Sequence, residues 1–322
     1  MSSKMPLKII LGTHTIGDIA KGSGLTHFDD EKDVQALLDA FQARGYNEID
    51  TARDYSANAP GASEIRLGKA GAPSRFTVHT KVHSGEPGAH QPVNVHLSIE
   101  QSLASLKTST VETMFLHVPD RHTPFEDTAK AMNDAFQQGK FRKFGLSNYT
   151  AAEVQKFLDI CEQNGYVKPT VFEGHYNPVA RGGEKELFPL LHKHNIAFFA
   201  YSPAAGGLFS GHAHTSARWD EDTPIGKIYN SHYGSVLPLV GNVLSTAERY
   251  GISGHAAALR WTAFHSHLNG KYGDGVIFGV SKLEQLHKTL DALESGPLPG
   301  ELAEAISAIY SRIEDPKPPY HL

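Results

Sequence analysis

Eight short apolar runs, separated by helix-like stretches, constrain this chain more than any single motif. They occupy positions 8–11, 46–51, 76–82, 113–118, 143–146, 171–175, 196–201 and 275–280. Several are almost unbroken in apolar residues, which is how strands covered on both faces read. Between them the apolar residues recur at helical spacing, as in 33–44 with Val34, Leu37, Leu38 and Phe41. Similar patterns run over 95–106, Phe125–Gln137, 153–162, 184–194, 239–250, 255–265 and 283–293. Thr150 with Glu153, and Ser281 with Glu284, read as capping boxes. Thr123 reads as an N-cap before Pro124, and Gly139, Gly165 and Gly251 stand where helices should stop.

Alternating strands and helices imply a parallel sheet, and the details favour a closed one. An open sheet that binds a dinucleotide usually carries G-x-G-x-x-G after its first strand. Here Gly22-Ser23-Gly24 is followed by His27 where the third glycine belongs, no strand leads directly into it, and no P-loop is present. The expected fold is therefore α/β, a (β/α)8 TIM barrel forming one domain over 1–322. The irregular stretch 203–236, after strand 7, is too long for a passive connection and reads as a functional lid. A further helix over 301–313 and the Pro-rich end 316–322 read as additions packed on the barrel.

The bulk properties narrow the class of function. Hydrophobic residues at 40% and charged residues at 20% suit a soluble globular enzyme. A net charge of −5 with scattered Lys and Arg offers nucleic acid no basic field. Cys161 is the only cysteine, so neither an intrachain disulfide nor a thiolate metal cluster can form, which fits a reducing compartment. No run approaches the ~20 apolar residues of a membrane span, and the first residues lack a signal-peptide core. The expectation is a cytoplasmic protein with a small-molecule partner, no nucleic acid and no membrane.

Four strand-like runs end in residues that suggest chemistry: Asp50, with Tyr55 shortly after it, then Lys81, His117, and Ser147-Asn148. A parallel barrel delivers the C-terminal ends of its strands to one mouth, so Asp50, Tyr55, Lys81 and His117 should converge. Tyrosine is a poor acid, with a pKa of about 10. A lysine ammonium beside it favours phenolate and lowers that value, easing proton transfer to a developing alkoxide. Asp50 would keep Lys81 charged and oriented. His117 would donate a hydrogen bond to a carbonyl oxygen or relay a proton.

These motifs resemble the aldo-keto reductase signature: Asp50-Thr51-Ala52 with Tyr55, His79-Thr80-Lys81, Leu116-His117 and Gly145-Leu146-Ser147-Asn148. The resemblance covers nearly the whole chain. In 168–177, 199–208 and 276–286 it is most similar to the aflatoxin-aldehyde reductase branch. It implies NADPH-dependent reduction of an aldehyde or ketone by a tetrad of Asp50, Tyr55, Lys81 and His117. For the NADPH/NADP+ cofactor it implies Asp50, Ser147, Asn148 and Glu173 at the nicotinamide, with Tyr201 stacked on the ring. Ser202, Pro203, Gly206, Gly207, Leu208 and Gly211 would line the pyrophosphate. Lys227, Gly279, Ser281, Lys282 and Gln285 would hold the 2′-phosphate and adenine. Glycines that let amides approach an anion, and a helix start near Ser281, agree with that placement.

The chain departs from the family at several points. Lys227 stands where the branch carries an arginine, which gives up a bidentate fork and weakens NADPH preference. Glu173 replaces a glutamine. Ionised, it would favour the cationic oxidised nicotinamide; kept protonated by burial, it would not. Thr289 replaces an asparagine near the adenine, and the chain ends without the arginine that suits carboxylate-bearing aldehydes. Nineteen histidines include His192-x-His194, His212-x-His214 and His265-x-His267. On a helix, residues i and i+2 diverge, and the expectation is no metal. A homodimer is compatible with the sequence. The alternatives are a binding or redox-sensing subunit on the same barrel, and an alcohol dehydrogenase working mainly in the oxidative direction.

Overall fold

The computed structural model describes residues 7–21, 24–56, 58–211 and 219–322. Strands β1 (Lys8–Gly12), β2 (Glu48–Asp50), β3 (Thr77–Val82), β4 (Val111–Leu116), β5 (Phe141–Ser147), β6 (Pro169–His175), β7 (Ala197–Tyr201) and β8 (Gly275–Phe278) close into one barrel. Every neighbouring pair is parallel, and closure comes from Lys8–Leu11 against Gly275–Phe278. The eight expected runs are these eight strands. Side chains of Ile10, Phe115, Val171, Phe199 and Ile277 fill the barrel interior. Phe115 needs Gly145 on the next strand, where a Cβ would lie 2.2 Å from its ring.

Helices α1 (Glu31–Ala43), α2 (Ala62–Lys69), α3 (Pro92–Leu106), α4 (Phe125–Gln137), α5 (Ala151–Asn164) and α6 (Leu187–Lys193) follow β1 to β6 in turn. Helix α1 shows why: Val34, Leu37, Leu38 and Phe41 form its buried stripe, and Asp30 caps its start. Thr150 and Glu153 form a full capping box at α5, and Gly165 ends that helix in a left-handed conformation. The other two start signals differ from expectation. Pro124 itself is the N-cap of α4, because the Thr123 hydroxyl donates to Asp120 instead. Helix α2 was not among the expected helices; it is short, and its buried face includes Ser63, Glu64 and Gly68.

The described residues after β7 are folded rather than irregular. A 3-10 segment, Ala205–Ser210, leads toward α7 (Pro224–Tyr233), α8 (Gly241–Arg249) and α9 (Gly254–Phe264). With α11 (Gly300–Arg312), these bury a second apolar cluster that includes Leu208, Phe209, Trp219, Tyr233, Trp261 and Ile306. Residues 212–218, which include His212 and His214, lie outside the described residues, as do Gly22 and Ser23. Helix α10 (Leu283–Glu294) follows β8, and its N-cap is Lys282 with no side-chain cap. Ser281 is not a cap: its amide donates to Gln285 Oε1, 2.8 Å away. No described helix is long and apolar enough to cross a membrane.

Candidate active site

The C-terminal ends of β2, β3 and β6 bring three ionisable side chains into a nearly solvent-free corner. Asp50 ends β2, Lys81 lies one residue before the end of β3, and Glu173 sits on β6; all are buried. Lys81 Nζ donates to Asp50 Oδ2 at 2.6 Å, to the Thr51 carbonyl at 3.0 Å and to the Tyr55 hydroxyl at 3.1 Å. An ammonium has three protons, and these contacts use all of them. Tyr55 donates to Asp50 Oδ2 at 3.2 Å. Glu173 Oε1 is a further oxygen 3.2 Å from the same Nζ.

Competing electrostatic effects set the protonation states. Burial disfavours charge on Lys81, but Asp50, Glu173 and Tyr55 outweigh it and hold the amine well above its ordinary pKa. Burial raises the Tyr55 phenol well above 10; Lys81 opposes this, and Asp50 and Glu173 reinforce it. The expected lysine effect is present but loses, chiefly to burial of the phenol and then to Asp50 and Glu173. Tyr55 is therefore held as the neutral phenol. Glu173 is pushed up to about 8, first by burial and then by Asp50, against the pull of Lys81. Its Oε2 and Asp50 Oδ1 are buried without a hydrogen-bond partner.

His117 follows β4, and its ring stands roughly perpendicular to that of Tyr55, with centroids 5.9 Å apart. Its Nδ1 lies 3.3 Å from Asp54 Oδ2, and Asp54 Oδ1 lies 2.5 Å from His83 Nδ1. Burial lowers the His117 pKa below 6.5; Asp54 opposes that shift and Lys81 adds to it. Asp54 is a contact the sequence reading missed. Its partners are 29 and 63 positions away, so only its place beside Tyr55 hinted at a role.

The residues expected at the nicotinamide lie on adjoining strand ends. Register pairs Ser147 with Glu173 and His175 with Tyr201. Asn148, in a left-handed conformation, donates to the His117 carbonyl and to Ser147 Oγ and accepts from the Tyr201 hydroxyl. Both of its amide protons are thus used within the protein. Tyr201 stacks on His175, with centroids 5.4 Å apart and planes 12° from parallel. His175 Nδ1 donates to the Pro319 carbonyl, and its Nε2 bonds the Tyr233 hydroxyl. The tail also reaches the mouth, where the Leu322 amide donates to the Asn148 carbonyl.

The residues expected at the cofactor's phosphates are arranged differently. Ser202, Gly206, Gly207 and Gly211 all have positive φ. Gly206 is also forced by packing, since a Cβ there would lie 1.9 Å from the Tyr229 ring. The Pro203 carbonyl accepts from Thr262, and the Leu208 side chain is buried in the second cluster, which leaves its backbone for ligand contact. Lys227, Gly279, Lys282 and Gln285 are exposed around α7 and the start of α10. Thr289 is buried on the inner side of α10. Among the described residues, no group of three or more His, Cys, Asp or Glu is placed to hold a metal.

Fit to a nicotinamide cofactor rests on two features. The partnerless Glu173 Oε2 beside Ser147 offers a polar contact to a carboxamide. Glycine at 206, 207 and 211 keeps this left-handed stretch free of Cβ atoms, so a phosphate could approach its backbone closely, although the Gly207 amide already donates to the Ala204 carbonyl. A sequence profile described as the Aldo/keto reductase family matches residues 8–311. The chain is 36% identical over 306 residues to human aflatoxin B1 aldehyde reductase member 2, covering 88% of this chain and 84% of that one. It is 35% identical over 305 residues to human aldo-keto reductase family 7 member A3, covering 88% and 91% respectively. It is 30% identical over 342 aligned positions to aldo-keto reductase pigE of Monascus ruber, covering 100% of this chain and 99% of that one.

Proposed function

The chain belongs to the aldo/keto reductase family, and on that premise we propose that it reduces an aldehyde or ketone to the alcohol with NADPH. The observation that carries the reading is the Tyr55 hydroxyl, 3.1 Å from Lys81 Nζ and 3.2 Å from Asp50 Oδ2 at the barrel mouth. Ser147, Asn148 and Glu173 would hold the nicotinamide, Tyr201 would cover its ring, and the glycine segment would receive the pyrophosphate. Lys227 and Lys282 would meet the 2′-phosphate that distinguishes NADPH from NADH. The bound cofactor supplies hydride.

Tyr55 supplies the proton. A phenol held neutral by burial does not ionise idly, yet an alkoxide is basic enough to take its proton, and Lys81 stabilises the phenolate that remains. Asp50 keeps Lys81 charged and pointed at the hydroxyl. Nicotinamide absorbance with 4-nitrobenzaldehyde tests the proposal. Steady oxidation of NADPH supports a reductase, and no turnover with a binding signal intact indicates a binding subunit. Turnover much faster with alcohol and NADP+ indicates a dehydrogenase.

A further inference from the structure

We propose that His175 is a positioning residue that ties the tail 319–322 to the back of Tyr201, so that the tail braces the pair Tyr201–Asn148 and cofactor affinity depends on it. The inference deepens the carbonyl-reductase reading and rests on its placement of Tyr201 and Asn148 at the nicotinamide. His175 ends β6 and is buried. Its ring lies against that of Tyr201, with centroids 5.4 Å apart and planes 12° from parallel. A nicotinamide stacked on Tyr201 would take the opposite face.

The hydrogen bonds of a neutral His175 have one consistent assignment. A carbonyl only accepts, so the Pro319 oxygen, 2.8 Å away, places the ring proton on Nδ1. Nε2 is then an acceptor, and the Tyr233 hydroxyl on α7 donates to it. The Asn177 side-chain NH2 gives one proton to the Ser202 carbonyl at 3.0 Å and turns the other toward Tyr233 and Nε2, each 3.2 Å away. Burial pushes the His175 pKa down to about 4, which keeps the ring neutral.

The tail meets the same pair at a second point. The Leu322 amide donates to the Asn148 carbonyl at 3.1 Å, and Asn148 Oδ1 accepts from the Tyr201 hydroxyl at 2.8 Å. The contacts form a closed circuit: Tyr201 to His175, His175 to Pro319, along the tail to Leu322, then to Asn148 and back to Tyr201. The tail has other anchors on the barrel. The Tyr320 hydroxyl accepts from the Ala151 amide and donates to Glu186, and Arg121 donates to the Leu322 carbonyl. Cutting the circuit therefore loosens the brace without undocking the tail. A pair held in place before the cofactor arrives lowers the ordering cost of binding, and by linkage the bound cofactor steadies the tail in return.

The test is a double-mutant cycle read by NADPH titration. His175→Phe keeps a ring against Tyr201 and removes the hydrogen bonds to Pro319 and Tyr233. Leu322→Pro removes the amide that Asn148 accepts, at an exposed position. Each should weaken NADPH roughly three- to tenfold, the worth of one neutral hydrogen bond. The double variant should bind little more weakly than either single one, because a brace cut at one end is already lost. Losses that multiply, to roughly ten- to a hundredfold, overturn the proposal. Unchanged affinity in Leu322→Pro also overturns it, and that variant decides even where His175→Phe does not fold. Hydrogen exchange over 313–322 gives the reciprocal readout: NADPH should slow it in the wild type and not in His175→Phe. A His175→Phe protein that shows only a lower Tm, with affinity and that slowing intact, makes His175 a packing residue and ends the proposal. A wild type that binds no NADPH would sink the reductase reading and the brace with it, whereas wild-type binding that neither variant weakens removes the brace alone.

Discussion

The two sides of the barrel mouth are built on opposite principles. On the β2–β3–β6 side, Asp50, Lys81 and Glu173 are buried, and every proton of the lysine already has an acceptor. On the β7–β8 side, Lys227, Lys282 and Gln285 lie in solvent, and what is fixed is backbone: three left-handed glycines and an uncapped helix start. Charges oriented during folding need no reorganisation when a reaction develops charge beside them. Hydrated lysines give up water and rotamer freedom only when an anion arrives, so each contributes less. One side is built for chemistry and the other for adaptable binding.

The buried side should therefore show the largest mutational effects. Tyr55→Phe removes the acid and leaves the Lys81–Asp50 contact in place. Reduction should fall by at least about 10²–10⁴-fold, the usual worth of general acid catalysis, with cofactor affinity nearly unchanged. Turnover close to wild type would take Tyr55 out of the mechanism. Lys81→Met should cripple turnover similarly, because the phenolate left after proton transfer loses its counter-charge. It also strands Asp50 in a buried site, which breaking a buried pair makes costly by about 3–5 kcal/mol. A clear drop in Tm should accompany the lost rate. A stable variant with an unchanged pH profile would make Lys81 a packing residue.

On the exposed side the losses should be smaller and selective. Lys282→Ala and Lys227→Ala should each weaken NADPH more than NADH, since the 2′-phosphate is the only difference between the two. A charge-assisted contact is worth about 1.5–3 kcal/mol, and exposure places these near the lower end, roughly tenfold. Titrations that weaken both cofactors equally would move the 2′-phosphate site elsewhere and undo the contrast between the two sides.

This contrast also explains what the sequence revealed. The barrel was legible because strands buried on both faces leave continuous apolar runs, and Asp50, Lys81 and His117 stand out as polar residues at their ends. Helix α2 was hidden because Ser63 and Glu64 take its buried face, where Glu64 accepts from Thr80 and Arg53. Helix α7 was hidden because its fit depends on contacts made in space, with Tyr229 over Gly206 and Tyr233 near Trp219. Asp54 shares that difficulty, since a carboxylate between two histidines has no signature in its own neighbourhood. The Ser281 motif failed for a local reason: its amide is taken by Gln285, and the helix starts one residue later.

Glu173 joins the two sides, and its expected effect near neutral pH is the smallest. Its carboxyl titrates near 8 because burial and Asp50 oppose its charge, so at pH 7 it is mostly the neutral acid. Glu173→Gln then exchanges one neutral group for another, and the ratio of NADP+ to NADPH affinity should change less than about twofold. Above its pKa the carboxylate favours the cationic oxidised ring. At ~5 Å and an effective dielectric near 20 that is on the order of 1–3 kcal/mol, and Lys81, 3.2 Å from Oε1, reduces it toward the lower end. The wild-type ratio should therefore shift toward NADP+ by about fivefold between pH 7 and about pH 9, and Glu173→Gln should abolish the shift. Titrating both cofactors at the two pH values decides the matter. A wild-type ratio that stays flat would mean that Lys81 cancels the charge or that the carboxyl does not face the ring. A ratio already displaced at pH 7 and restored by Glu173→Gln would show that Lys81 keeps Glu173 ionised, placing two charged carboxylates on one lysine.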